Sequence, residues 1–213
     1  MRSGQSSGEA SVWGLISDVH GNLPALETAL EILAGTGAQR LAFLGDYLGR
    51  GDSDRCVLRI RQVAEVAIVG NRDIDWRDRV SPESKAWVLS LPRVASLGQL
   101  LLSHGDARLT PALGTTQINR DFARAFAEME RREAWVWAFG HSHHARLWRK
   151  ASVDGLTEQL AGAAAPISDG FRYFLNVGTT GLPFAGTGGP SVALVDFKRG
   201  EVRHLPLDRP APE

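Results

Sequence analysis

The sequence of 213 residues has one cysteine, Cys56, so an internal disulfide is excluded and the fold must hold by packing alone. It also has no surplus of either charge, because 24 Lys+Arg balance 24 Asp+Glu. Without a basic excess there is nothing to drive sequence-independent attraction to a phosphate backbone, which counts against a nucleic-acid binder. No apolar run approaches the ~20 residues that cross a bilayer, so no membrane segment is expected. Met1 to Ser11 are polar and rich in Gly and Ser, with no apolar stretch of signal-peptide length. They are expected to form a disordered N-terminus, and a lone Cys56 beside Val57 and Ile60 fits a buried thiol in a reducing, cytoplasmic setting. The length suits one domain, expected over 12–207 with 208–213 as a tail.

Apolar periodicity divides that domain into repeating strand-then-helix units. Val12 to Ile16 reads as a buried strand, followed by Leu23, Leu26, Leu30 and Leu33 at helical spacing after Asn22 and Pro24, which suit a helix start. Arg40 to Leu44 is a second strand. A helix marked by Cys56, Ile60 and Val63 comes next, opened by Asp52 or Ser53. Val66 to Val69 is a third strand. Such a succession implies parallel strands with crossover helices, whose ligands gather beyond the carboxyl ends of the strands.

The segment Asp73 to Pro92 breaks the pattern and reads as a small lid or flank, with a helix from Pro82 to Leu91 capped by Ser81. Gln99 to Ser103 is a strand, Gly105 to Thr116 a loop, and Phe122, Phe126 and Met129 mark a helix before the strand Trp135 to Phe139. Arg146 to Lys150, Tyr173 to Val177, Ser191 to Phe197 and Glu201 to Leu205 are short strands expected to build a second, largely antiparallel sheet.

Acids and histidines fall where these strands end. Asp18 and His20 come after the first strand, Asp46 after the second and Asn71 after the third. His104 stands after the strand ending at Ser103, and His141 and His143 after the strand ending at Phe139. Asp18 and His20 alternate by two, so both can reach one ion from an extended strand end. Asp46, after a glycine that lets backbone come close, is the natural bridging carboxylate. Mixed oxygen and imidazole donors without thiolate suit two catalytic divalent ions, drawn from Mn, Fe, Zn, Ni or Co with Mn favoured, rather than a structural zinc site.

Other residues have plainer readings. His144 alternates away from His143 and reads as a surface or supporting residue, and His204 as structural. Tyr47 and Arg50 lie by the expected mouth and are read first as loop residues, with substrate contact as the alternative. Trp76, Trp87, Trp135 and Trp137 lack the basic stripe of a base-stacking platform and are assigned to packing. The Gly-rich stretch from Gly178 to Pro190 lacks the Lys of a P-loop and the helix start of a dinucleotide fingerprint.

Taken in order, Asp18-Val19-His20, Gly45-Asp46, Gly70-Asn71, His104 and Gly140-His141-Ser142-His143 resemble the calcineurin-like metallophosphoesterases, whose pattern is D-x-H, GD, GNH, a lone H and GHxH. Asn176-Val177-Gly178-Thr179-Thr180-Gly181 with Pro183 is similar to a segment of the compact bacterial members. The resemblance spans roughly residues 12 to 200. It implies a four-layer α/β/β/α sandwich of two mixed sheets flanked by helices. It also implies Asp18, His20 and His143 on one ion, Asn71, His104 and His141 on the other, and Asp46 bridging. The activity it implies is hydrolysis of a small-molecule phosphodiester or phosphomonoester by metal-bound hydroxide.

One position departs from that pattern. The family's histidine after the asparagine, which contacts phosphate and can protonate the leaving group, is here Arg72. Arg can stabilise phosphoryl charge but cannot act as a general acid, because it keeps its proton. Asp73, with Asp75 behind it, is the expected substitute proton donor. The alternative is a weakly active or inactive binding scaffold of the same fold.

Overall fold

The computed structural model describes residues 11–105, 118–186 and 188–207, with backbone alone for 118–121. Residues 1–10, the tail 208–213 and nearly all of the loop expected at Gly105 to Thr116 lie outside the described residues. The three strand-then-helix units form as their periodicity dictates: β1 (Val12–Ile16), α1 (Leu23–Gly35), β2 (Arg40–Phe43), α2 (Ser53–Val63) and β3 (Val66–Ala67). Asn22 caps α1 by accepting the Ala25 N–H, and Asp52 caps α2 by accepting that of Arg55. Strand β1 runs parallel to β2, and β2 to β3.

Beyond β3 come α3 (Asn71–Asp75), a 3-10 turn (Arg77–Arg79), and α4 (Pro82–Ser90), which is capped by Ser81. The five-residue α3 is too short to leave a periodic signal in the sequence. This stretch is a packed flank rather than a lid. Val88 is buried in the core, Trp76 and Trp87 pack against it, and the Asp54 carboxylate of α2 accepts the Ser81 N–H and hydroxyl.

The remaining elements are β4 (Val94–Leu97), β5 (Leu100–Ser103), α5 (Ile118–Arg131), β6 (Val136–Phe139), β7 (Arg146–Lys150), β8 (Thr157–Leu160), β9 (Ala164–Pro166), β10 (Arg172–Asn176), β11 (Ser191–Asp196) and β12 (Glu201–Pro206). They correct the expectation that the C-terminal strands make a sheet of their own. Instead they are shared out: one sheet runs β3-β2-β1-β11-β12-β9 and the other β4-β5-β6-β10-β7-β8. Both sheets are mixed. Strand β11 is buried along both faces, so it needs neighbours on each side, and it pairs antiparallel with β1 and β12.

Alternation along the strands then produces four layers. In the first sheet Val12, Ile16, Phe43, Val192 and Leu194 face α1, α2 and α4, while Trp13, Leu15, Ala42 and Val195 face the second sheet. In that second sheet Leu100, Leu102, Val136, Tyr173 and Leu175 point inward, and Leu101, Trp137, Phe139 and Phe174 pack against Phe122, Phe126 and Met129 of α5. Fully burying a Leu or Val side chain is worth ~1.5–3 kcal/mol. Three such layers of contact hold both sheets rigidly, so β1, β2, β3, β5 and β6 can end at one rim and deliver their loops there.

Candidate metal centre

The loops that leave these strands are laced together by backbone hydrogen bonds. Asp18 N–H donates to Gly45 O (3.0 Å), His20 N–H to Asp46 O (2.9 Å) and Gly140 N–H to His104 O (2.9 Å). The turns are abrupt. Asp18, His20, Asp46, His141 and His143 all hold positive φ, between 51° and 71°, where side chains are crowded and Asp and His are among the few residues tolerated. Glycines make the close approach possible at two points. A Cβ on Gly140 would collide with Ser17 Oγ and Asp18 Oδ2, and one on Gly70 with Asp46 Oδ1.

All seven residues singled out as ligands meet at this rim. Asp18 Oδ1 lies 3.1 Å from His143 Nε2 and 3.6 Å from His20 Nε2, and those two imidazole nitrogens are 3.2 Å apart. Asp46 Oδ2 lies 3.8 Å from His20 Nε2 and 3.3 Å from His104 Nε2, which places it between the two groups. Asn71 Oδ1 is 3.2 Å from His104 Nε2 and 2.8 Å from His141 Nδ1. Donor atoms of Asp18, His20 and His143 fall within 4.8 Å of one another, and so do those of Asp18, Asp46 and His104. Asp18 therefore reaches both groups, a wider reach than the resemblance implies.

Hydrogen bonding tests whether these donors suit cations. Ser17 Oγ–H (2.6 Å) and His141 N–H (3.0 Å) both donate to Asp18 Oδ2, whereas Asp18 Oδ1 is buried and accepts no hydrogen bond among the described residues. The imidazoles facing it are oriented from behind. His143 Nδ1 lies 2.6 Å from Leu182 O and His104 Nδ1 2.6 Å from Leu44 O, so each ring donates its Nδ1–H to a carbonyl and turns Nε2 inward. Imidazole Nε2 atoms turned toward buried carboxylate oxygens need a proton or a cation between them, or the pairing costs free energy. The residues present fit divalent ions.

The electrostatics agree. Burial alone would raise the Asp18 carboxyl, but His104, His143 and His20 hold it well below the usual carboxylate range. Burial pulls His104 down, yet Asp18 and Asp46 outweigh it and push the imidazole up to about 9. His141, at the exposed end, is lowered by burial and by the neighbouring His104. This rim is organised to hold positive charge.

Asp73 does not occupy the place expected of a proton donor. Its fully buried carboxylate accepts backbone N–H groups from Asp46 (3.0 Å), Tyr47 (2.8 Å), Leu48 (3.1 Å) and Gly70 (2.8 Å). Burial and the Asp46 charge push it up to about 6, against the pull of those N–H groups, so it is ionised at neutral pH. With four donors on its two oxygens it is a staple between the Asp46 and Gly70 loops. Asp75 is exposed. The Arg72 N–H donates to Asp46 Oδ1 (2.7 Å), and its exposed guanidinium has no hydrogen bond or ion pair among the described residues.

Tyr47 is also not at the mouth. It is fully buried, with its hydroxyl 2.6 Å from Ile68 O and 2.9 Å from Phe43 O, and it braces β2 against β3. His144 turns back to Ser142 O, and His204 Nε2 lies 2.7 Å from Asn176 O. Trp76, Trp87 and Trp137 pack in the cores, in keeping with their sequence assignment. Sequence reasoning assigns no role to Asn176 beyond its place in the Gly-rich segment. Its Nδ2 donates to Gly140 O (3.0 Å) and Ser142 Oγ (2.8 Å), which fixes the turn that presents His141 and His143.

Similar proteins match the geometry. Residues 12–200 match the model of the calcineurin-like phosphoesterase superfamily domain. The phosphodiesterase YfcE of Escherichia coli K12 is 35% identical over 105 residues, covering 44% of this chain and 53% of that protein. The chain thus spans about half the length of the curated relatives it matches. A metallophosphoesterase from Sphaerobacter thermophilus has the same fold, with a TM-score of 0.73 at 23% identity over 92% of this chain and 87% of that one. A predicted phosphoesterase from Streptococcus pneumoniae TIGR4 has a TM-score of 0.55 at 20% identity, over 95% and 92%. With the ligand series in order, the four-layer fold beneath it and a family match over nearly the whole described chain, this protein belongs to the calcineurin-like phosphoesterase superfamily.

Proposed function

We propose that the protein is a metal-dependent phosphoesterase acting on a small-molecule phosphodiester or phosphomonoester. The observation that carries this is the buried Asp18 Oδ1, without a hydrogen bond among the described residues, facing the Nε2 atoms of His20 and His143. Asp18, His20 and His143 would hold one divalent ion, Asn71, His104 and His141 a second, and Asp46 both. Two ions of this kind supply Lewis acidity toward phosphoryl oxygens and lower the pKa of water toward ~7. Mn²⁺ is the ion we favour, since carboxylate, amide and imidazole donors suit it.

The chain's own residues contribute orientation and charge. The carbonyls of Leu182 and Leu44 fix the tautomers of His143 and His104. Arg72, held next to Asp46 by its backbone, offers five N–H donors and a permanent charge to a phosphoryl group. Among the described residues no general acid takes the place of the family histidine, since Asp73 is committed to backbone. Esters whose leaving groups need no proton are therefore the favoured substrates, a positioned acid being worth ~10²- to 10⁴-fold for poor ones.

The test is to strip metal by chelation, restore Mn²⁺, and assay bis-p-nitrophenyl phosphate beside p-nitrophenyl phosphate. Hydrolysis should appear only with metal, and Asp46→Asn and His104→Ala should each abolish it. Metal-independent hydrolysis would overturn this reading, and no hydrolysis at all would leave the scaffold reading standing. Replacing Arg72 by His should raise rates on poor leaving groups only; a uniform rise across all esters would refute the missing-acid argument.

A further inference from the structure

A cleft of about 530 Å³ opens directly from the His20 end of the metal centre, lined by His20, Leu23, Arg50, Asp52, Arg55 and Leu182 among others. Its charge is unevenly committed. Arg55 lies 3.6 Å from Asp52, and further along the same helix Arg59 pairs with Glu27 and Arg61 with Glu83. Arg50 is exposed and has no hydrogen bond or ion pair among the described residues. It is also held in place. A Cβ on Gly49 would collide with His20 O and one on Gly51 with Gly21 O, so the two residues flanking Arg50 lie flat against the backbone of the His20 turn. The rest of that turn is pinned by Gly21 N–H donating to Tyr47 O (2.8 Å). Arg50 is thus the side chain this tight loop presents to the cleft, while Leu23 and Leu182 give the same cleft apolar wall.

We propose that this cleft is a subsite for the organic part of the ester, and that Arg50 selects esters carrying a second anionic group, such as a carboxylate or a further phosphate. The inference rests on the phosphoesterase reading for the position of the first phosphoryl group. An arginine suits the task because its planar fork engages carboxylate or phosphate oxygens two at a time. A cleft with an apolar wall and an arginine unpaired among the described residues favours an organic anion over a neutral aryl group.

Two p-nitrophenyl diesters separate the possibilities, one with phenol as the second alcohol and one with 3-hydroxybenzoate. Both release the same chromophore by breaking the same bond. The Mn²⁺-loaded protein should prefer the carboxylated ester by about tenfold in kcat/KM, the scale of one charge-assisted contact in a partly solvated site. Arg50→Ala should bring that ratio to about one, and Arg50→Lys should keep part of it. A binding arm uses phenylphosphonate and 3-carboxyphenylphosphonate, with affinity read by calorimetry. Arg50-dependent preference for the carboxylated phosphonate without hydrolysis of either ester would sink the phosphoesterase reading and keep the subsite. Hydrolysis without preference, a preference that survives Arg50→Ala, or equal affinity for the two phosphonates would overturn the subsite.

Discussion

The two halves of the proposed metal centre are built to different standards. Asp18, His20 and His143 are all buried, with His143 tied to Leu182 O and Asp18 wedged against Ser17 and the His141 backbone. In the other half only His104 is buried, while Asn71 and His141 stand exposed at the start of a five-residue helix and a loop. The first half grows out of the central strand β1 and the turn after β6. The second takes Asn71 from the chain beyond the two-residue β3, so the place of that residue must be set by contacts from elsewhere. A dinuclear site does not need two equally rigid halves; one can be prefabricated and the other clamped on.

The clamp is Asp73, and removing it should give the largest effect. Asp73→Asn replaces an acceptor-only group by one that turns an NH₂ toward backbone N–H donors, so about two of its four bonds are lost and buried donors are left unmet. A loss of about 3 kcal/mol in urea unfolding is expected, together with a weaker second metal site. Unfolding within about 0.5 kcal/mol of the unmodified protein would mean that Asp73 is no staple.

A smaller effect separates the halves directly. Titration with a chelator, followed by metal analysis, should remove the two ions in steps, and the ion at Asn71, His104 and His141 should leave first. His141→Ala should weaken that step by about tenfold, near the range of losing one oriented ligand, and leave the other unchanged. Release of both ions in a single step would contradict the division.

The smallest effect lies outside both halves. Cys56 is fully buried on the core-facing side of α2, and that burial pushes its thiol up to about 12. It should be inert to a thiol reagent at neutral pH until the protein is unfolded. Because the folded state favours the neutral thiol, its contribution to stability is complete below the ordinary thiol range and is lost as pH rises toward 12. Cys56→Ala should remove that part of the alkaline decline, and an unchanged profile would refute it.

The legibility of each part in the sequence depends on where its cause lies. The residues that meet at the rim are readable because each stands at the end of an apolar run, and the pattern survives in one dimension. The distribution of strands between the sheets is not. Strands β11 and β10 are both short and apolar, and their choice between β1 and β6 is made by packing on two faces at once. Thr157–Leu160 and Ala164–Pro166 give no strand signal because they are edge-side strands with largely exposed residues and no alternation. Asp73 reads as a proton donor because its true partners are backbone amides of two loops, 25 to 27 positions away along the chain for the Asp46 loop and three for Gly70. Nothing in side-chain order announces that geometry. Tyr47 is misplaced for a similar reason: its neighbours in sequence are site residues, and its partners in space are strand carbonyls.

The left-handed turns carry a consequence for how such a centre decays. A non-glycine residue in that region costs of order 1 kcal/mol, and five of the proposed ligands sit there. Glycine at Asp18, His20, Asp46, His141 or His143 would relax the backbone while deleting a donor. Drift released from any demand for metal therefore runs downhill toward glycine at these five positions. This chain keeps a donor side chain at every one of them, and so keeps the strain.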